Sequence, residues 1–385
     1  MATHTPEVDL SSRATLLALA VEHGTPLLLI DCAAIRRQYH RLQAALPGVD
    51  LHYALKPLPE ASVVRTLLAE DAWFDLATAG EVELVVREGV PANRCIHTHP
   101  IKRDCDIRAA LDRGVVTFVA DNPDEIAKFV PYPQAQLLLR VAFRNPEAKC
   151  DLSRKFGCEP EEVLALLDAA RAQGTAVIGL SFHVGSQASS PAMHVLAVEA
   201  CAGLITAARA AGHALGTLDI GGGFPVEYHE GAMPIEQFCA PIVAALATLP
   251  QDVRVIAEPG RFISAPAGVA ITSVMGRARR DGQWWYYLDD GVYGSFSGQI
   301  FDHAVYPVQA LTVNGAAPSP ELAKHPAVLA GPTCDSIDVV AEGLPLPELH
   351  AGDLLVGRMM GAYTCASATD FNFFPRARIV AVNGG

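Results

Sequence analysis

Eight short apolar runs, separated by stretches of helical pattern, constrain this chain more than any other feature. The runs cover residues 51–56, 73–77, 95–98, 116–120, 136–143, 176–184, 217–221 and 254–258. Between them, apolar residues recur at helical spacing over 60–70, 80–88, 102–114, 122–130, 160–171, 193–211 and 234–249. Runs that are apolar at nearly every position are buried on both faces, as parallel strands are. Eight strand–helix units suggest a (β/α)8 barrel, whose chemistry gathers at the C-terminal strand ends. A doubly wound open sheet competes with it on pattern alone.

Beyond residue 264 the rhythm changes. Residues 284–288, 304–312, 327–330, 354–356 and 377–382 read as short strands between Gly, Pro and Asn, with no long helix pattern. This predicts an all-β second domain, which a strand at 26–31 is placed to join. The expected organisation is an N-terminal segment 1–32, a barrel 33–264 and a C-terminal β domain 265–385.

Composition narrows the function. Net charge is −13 and there is no basic run, so nothing would neutralise nucleic acid or an anionic membrane as a patch. The first residues, MATHTPEVDLSS, show neither a basic nor an apolar leader region. The apolar runs fall short of the ~20 residues of a membrane span. Nine cysteines without CxxC pairs argue for a reduced, cytoplasmic chain and against structural zinc. No metal ligand set is expected.

The strand ends carry the chemistry. Lys56 closes the first run, before a proline. A lysine there is most often a surface residue, but at an apolar mouth an amine becomes a usable nucleophile. His183 leads into Gly-Ser, where it could meet a flat ring instead of filling a core. Gly221 to Gly223 follow the seventh run and leave backbone N–H groups for an anion. A glycine triplet alone is weak evidence, but with Arg261 beyond the eighth run it marks a phosphate site. Glu258 reads either as a salt-bridged structural acid or as the partner of a pyridinium nitrogen. Lysine, carboxylate and arginine together are the parts of a pyridoxal phosphate site. Cys334 and Asp335 sit in a Gly-Pro turn, and Asp302 is a second acid that alone would read as structural.

Tyr53-Ala-Leu-Lys56, Phe74-Asp-Leu-Ala77, His183-Val-Gly-Ser186, Asp219-Ile-Gly-Gly-Gly-Phe-Pro225, Glu258-Pro-Gly-Arg261, Asp290-Gly-Val-Tyr-Gly-Ser-Phe296, Gly331-Pro-Thr-Cys-Asp335 and Gly361-Ala-Tyr363 occur in one order. In that order the chain resembles the fold-type III pyridoxal phosphate decarboxylases, the ornithine/diaminopimelate decarboxylase family, over about residues 26–375. Within it the ornithine decarboxylase branch is most similar. The resemblance implies an alanine-racemase-like barrel with a C-terminal β domain, and pyridoxal 5'-phosphate as cofactor.

It also implies roles. Lys56 would carry the cofactor and His183 would stack on its ring. Ser186, Gly222, Gly223, Arg261 and Tyr363 would hold its phosphate, and Glu258 would pair with the ring nitrogen. Asp75, Arg140, Pro259 and Gly260 would complete the cofactor site. Cys334 would return a proton to the product, and Asp302 and Asp335, beside Phe301 and Phe371, would hold the distal ammonium of the substrate. The loop bearing Cys334 would enter the partner's barrel, making an obligate homodimer with shared active sites.

L-ornithine, giving putrescine in polyamine biosynthesis, is the expected substrate. Asp335 stands where diaminopimelate decarboxylases carry glutamate. Lysine, 2,4-diaminobutyrate, a D-diamino acid or a conjugated amine are the alternatives. A racemase would need an opposed tyrosine–lysine base pair. A non-catalytic regulatory homologue would have lost the cofactor residues, which this chain keeps. Two departures from the family pattern stand out: Pro57-Leu-Pro59 after the lysine, and Phe373 where glycine is usual.

Overall fold

The computed structural model describes residues 7–144, 152–228 and 233–384. The chain forms two units, Met1–Ile35 with Ser264–Gly385, and Arg36–Ile263.

Helix α1 (Arg13–His23) and strand β1 (Leu27–Asp31) belong to the first unit. Ser12 caps α1 by accepting from the Thr15 N–H. Helix α2 (Cys32–Ala45) leads into the second unit, where β2 (Val49–Ala54), β3 (Trp73–Leu76), β4 (Cys95–His97), β5 (Thr117–Ala120), β6 (Gln136–Val141), β7 (Ala176–Phe182), β8 (Thr217–Asp219) and β9 (Arg254–Ala257) close into a parallel barrel. The closure is the β2–β9 pairing, Leu51 opposite Ala257. An open sheet is therefore excluded. Ile96, Val119, Leu138 and Ile256 fill the interior, with Ile178 against them. They come from different strands and point inward, so the barrel is a packed core and the mouth is left for chemistry.

The outer layer is α3 (Ala61–Ala69), α4 (Ala79–Arg87), α5 (Asp104–Asp112), α6 (Pro123–Ala127), α7 (Val163–Ala172), α8 (Ala192–Ala210) and α9 (Ile235–Leu246). Thr78 caps α4, and Asn122 with Pro123 at the first position starts α6. Helix α8 is long and apolar enough to cross a membrane by length and composition. It packs on α7, α9 and β7, burying His194, Ala197, Val198, Cys201 and Ile205, which is the behaviour of a core helix.

Short helix α10 (Arg261–Ser264) precedes the β unit, built from β10 (Gly268–Arg280), β11 (Gln283–Leu288), β12 (Val308–Ala310), β13 (His325–Ala330), β14 (Val339–Leu346), β15 (Leu354–Arg358) and β16 (Arg378–Val382), with short helix α11 (Gly298–Asp302). The sheet runs β12-β15-β10-β11-β13-β14, and β1 pairs antiparallel with β10 and parallel with β16. Leu16, Leu27 and Leu29 pack with Ile271 and Val356 to make its core.

Three expectations shift. The run at 304–312 yields only β12, because α11 and Pro307 precede it. The long β10 and β14 have no counterpart in the sequence reading. Lys56 lies two residues beyond the end of β2, in the turn that follows.

Candidate active site

The turn holding Lys56 is stitched on both sides. The Leu55 N–H donates to the Asp75 carbonyl at 3.1 Å, and the Ala54 N–H donates to the Pro259 carbonyl at 3.1 Å. Pro57 lies against Gly260, where an added Cβ would approach the proline ring to 2.8 Å. The substituted proline segment thus braces the lysine from below. Lys56 Nζ stands 3.5 Å from Oδ2 of Asp75. The Thr98 hydroxyl donates to the other oxygen of that carboxyl. Burial pushes Asp75 up to about 7, the Glu258 charge adds to the rise, and Lys56 opposes it.

Glu258 directly follows β9, and its N–H donates to the Gly221 carbonyl at 2.8 Å. Burial holds its carboxyl well above the usual range, the neighbouring Asp219 raises it further, and Lys56 and Arg140 counter. Asp219, the last residue of β8, is fully buried. Its Oδ1 accepts the Gly221 N–H at 2.8 Å and its Oδ2 has no partner. Burial raises it to about 6, against the pull of the neighbouring Glu258 carboxyl and the Gly221 N–H. Burial also pulls the Arg140 guanidinium down, while Glu258, Asp121, Asp219 and Asp75 hold it up. The result is a mouth where three carboxyls stand near two cations.

His183 follows β7 and is half-buried. Its Nδ1 accepts the Gly185 N–H at 2.9 Å, so in the neutral ring Nε2 carries the proton. Burial first, then the charges of Arg140 and Lys56, keep its proton affinity well below the usual range. A neutral ring is what stacking on another flat ring requires.

Gly221 and Gly223 adopt left-handed φ of 64° and 98°. A Cβ on Gly222 would lie 2.8 Å from the Glu258 carbonyl, and one on Gly223 would lie 2.5 Å from the Gly185 carbonyl. Only glycine leaves this hollow open. Beside it, Arg261 starts α10 and is buried; its Nε and Nη2 donate to the Ser186 hydroxyl at 3.3 and 3.2 Å, and Nη1 donates to the Tyr228 hydroxyl at 2.8 Å.

The β unit gathers a second group. Asp338 accepts from the Val292 and Thr333 N–H groups at 2.8 and 3.0 Å and from the Thr333 hydroxyl at 2.7 Å, so it pins the turn leading to Cys334. Cys334 is exposed, and its N–H donates to Asn372 Oδ1 at 3.1 Å. Tyr293 donates to Asp335 and stacks on Phe371 at 4.5 Å. That hydrogen bond keeps Asp335 below the usual carboxylate range. Phe301 is 60% exposed, and Asp302 ends α11. Tyr363 is half-buried with a left-handed φ of 54°.

Residues 32–265 match the family model for the pyridoxal-binding domain of pyridoxal-dependent decarboxylases. The chain belongs to this family. It is 37% identical over 358 residues to the lysine/ornithine decarboxylase of Selenomonas ruminantium, covering 92% of this chain and 89% of that protein. It is 36% identical over 370 residues to mouse ornithine decarboxylase, covering 91% and 79%. The lysine/ornithine decarboxylase of Vibrio vulnificus, solved with putrescine, superposes with a TM-score of 0.91 at 54% identity, over 98% of this chain and all of that one. The protein is thus a pyridoxal phosphate-dependent carboxy-lyase of the TIM-barrel decarboxylase type.

The barrel mouth of this decarboxylase fits pyridoxal phosphate. The glycine hollow beside Arg261 and Ser186 suits the phosphate, and Lys56, Glu258 and His183 lie at the same end of the barrel. The barrel unit brings together Lys56, Asp75, Arg140, His183, Ser186, Gly222, Gly223, Glu258, Pro259, Gly260 and Arg261. Cys334, Asp335 and Phe371 gather in the β unit, which also carries Phe301, Asp302 and Tyr363.

Several neighbours carry no role in the sequence reading. Asp219 heads the glycine motif, and a buried acid in an apolar run was its available signal. Thr98, Tyr228, Tyr293 and Asn372 are brought to these groups by folding alone, with no spacing pattern to announce them.

Proposed function

We propose that this decarboxylase acts on a basic diamino acid ending in a lone ammonium, L-ornithine to putrescine first among them, as a step of polyamine biosynthesis. The observation that carries this reading is Asp335. Its carboxylate is held ionised by Tyr293, whose ring stacks on Phe371, which suits an ammonium at the end of an aliphatic arm.

Bound pyridoxal phosphate supplies an electron sink for the pair left behind by departing CO2. Lys56 is the residue that carries it, and the Asp75 carboxyl orients that amine. Glu258 holds the ring nitrogen protonated, with Asp219 and Arg140 beside it. His183 stacks on the ring as a neutral imidazole. Ser186, the glycine hollow and Arg261 would take the phosphate. Cys334 delivers a proton to the α-carbon, and Asp302 and Asp335 hold the distal ammonium.

The same reading makes the enzyme an obligate homodimer in which Cys334 and Asp335 serve the partner's barrel. Exposed apolar side chains of the β unit support it: Phe301, Val305, Ile337, Phe371 and Phe373. Cytoplasmic placement is supported by the free thiols of Cys32, Cys95, Cys105, Cys158, Cys201, Cys239 and Cys334.

A second substrate reading is L-lysine to cadaverine. The Vibrio vulnificus relative has been solved with cadaverine as well as putrescine, at 53% identity to this chain.

The test is product identification by mass spectrometry. The protein with pyridoxal phosphate is offered L- and D-ornithine, L- and D-lysine, 2,4-diaminobutyrate and meso-diaminopimelate in competition. Putrescine in excess supports the first reading and cadaverine in excess the second. Release of neither, with the cofactor bound, overturns both.

A further inference from the structure

The β unit carries a cavity of about 460 Å3 that the decarboxylation chemistry does not use. It lies among the first turn of α1, the β12–β15 edge, and residues 318–324 and 344–347. That size is ordinary for a small-molecule site. Aliphatic side chains such as Leu16, Leu344 and Val356 supply much of the wall. Arg13, Lys324 and Arg358 also line it, and no acidic side chain does. In a chain of net charge −13 that is a local reversal of sign.

The two guanidiniums are held but not neutralised. Arg13 Nε donates to the Leu311 carbonyl at 2.8 Å, and its Nη2 is buried without a partner. Arg358 Nη1 donates to the Leu10 carbonyl at 3.2 Å. Among the described residues neither makes an ion pair. Asp9, whose charge Arg358 feels, is occupied by the N–H and hydroxyl of Ser11 at 2.8 and 2.6 Å. Arg13 is also the first residue of α1, and no acid stands in that first turn. The positive helix end therefore adds to the guanidinium charge instead of offsetting it. A buried N–H without a partner costs stability until an acceptor arrives. The larger cavity beside α4 and α5 differs, because its cations already have partners: Lys102 with Glu125, and Arg103 with Asp106.

We propose that the cavity between α1 and the β12–β15 edge binds a small anion with an apolar body, a carboxylate or phosphate monoester, at Arg13 and Arg358. Cationic diamines and diamino acids with a distal ammonium are disfavoured there by charge.

The holoenzyme, with its cofactor bound, is titrated calorimetrically with phenyl phosphate, and in parallel with inorganic phosphate and butylammonium. One saturating site per chain is expected for phenyl phosphate, weaker binding for inorganic phosphate and none for butylammonium. The cofactor absorbance stays constant throughout, which separates this site from the glycine hollow. Arg13→Gln and Arg358→Gln each weaken phenyl phosphate at least ~10-fold, the scale of one charge-assisted contact. Gln309→Trp fills the cavity and blocks binding with both guanidiniums in place. All three variants keep decarboxylase activity. No saturable binding up to about 10 mM, an affinity too weak for a built pocket, overturns the proposal. So does binding that survives all three substitutions.

Discussion

Lys56 Nζ stands 3.5 Å from Oδ2 of Asp75, an amine on a 40% exposed side chain set against a carboxyl that is 2% exposed. The buried partner fixes the exposed one. Asp75→Asn keeps the shape and removes the charge. It is expected to lower kcat/KM about 100-fold, the scale of a misplaced catalytic group, while the protein still binds cofactor. Steady-state kinetics with a cofactor titration checks this. Unchanged kcat/KM would mean that Asp75 does not orient the lysine.

Gly223→Ala places a methyl group 2.5 Å from the Gly185 carbonyl on a backbone with φ of 98°. Cofactor affinity is expected to fall more than ~10-fold, because the hollow closes where the phosphate would sit. Equilibrium dialysis of cofactor measures it, with circular dichroism reporting the fold. Wild-type affinity in a folded variant would place the phosphate elsewhere.

The barrel was legible because its strands are buried on both faces and so are apolar at nearly every position. The β unit was less so. Strand β10 begins buried at Gly268 and ends exposed at Arg280, so its tail Gly276-Arg-Ala-Arg-Arg280 carries no apolar signal. Strand β14 contains Gly343 and Pro345, which read as turn residues. At the site, motif residues at strand ends were visible one by one. Asp219 was not, because its importance lies in sitting against Glu258, which only the pairing of β8 with β9 brings about. Tyr293 with Asp335 is similar: 42 residues separate them, and no periodicity links the two.

The shared active sites proposed above would have a direct consequence for mixed subunits. Lys56→Ala and Cys334→Ala proteins, each nearly inactive alone, are expected to regain about a quarter of wild-type activity after mixing, since half the dimers are mixed and each has one intact site of two. Activity of re-equilibrated mixtures measures this. No recovery in confirmed mixed dimers would mean that each subunit serves its own barrel.

His52 is fully buried in β2, its ring tilted against Trp73, with Nε2 unpartnered. Burial lowers its proton affinity from 6.5 to about 4. Between those values the unfolded chain takes up a proton and the folded chain does not, so stability falls as pH drops through that window. The full effect is about 3 kcal/mol. Urea unfolding at several pH values should show this loss reduced in His52→Phe; the wild-type slope in that variant would refute it. His97 and His194, both also lowered to about 4, act in the same direction.

Phe373 is 96% exposed on a left-handed backbone with φ of 59°. Phe373→Gly relieves that conformation and is expected to stabilise the β unit by about 1 kcal/mol. If the ring instead serves the dimer, the variant dissociates at higher concentration in sedimentation. A variant that changes neither property leaves Phe373 without a structural role.

Strand β1 lies between β10 and β16, and Asn383 reaches back to Asp31 across 352 residues. During translation the barrel strands leave the ribosome in sequence and can close on themselves. Strand β1 emerges first of all the strands, yet its parallel neighbour appears only after 378–382 clear the exit tunnel. For most of synthesis, then, Leu27 to Ile30 travel as an apolar strand with an unpaired edge, the kind of segment a nascent-chain chaperone would hold.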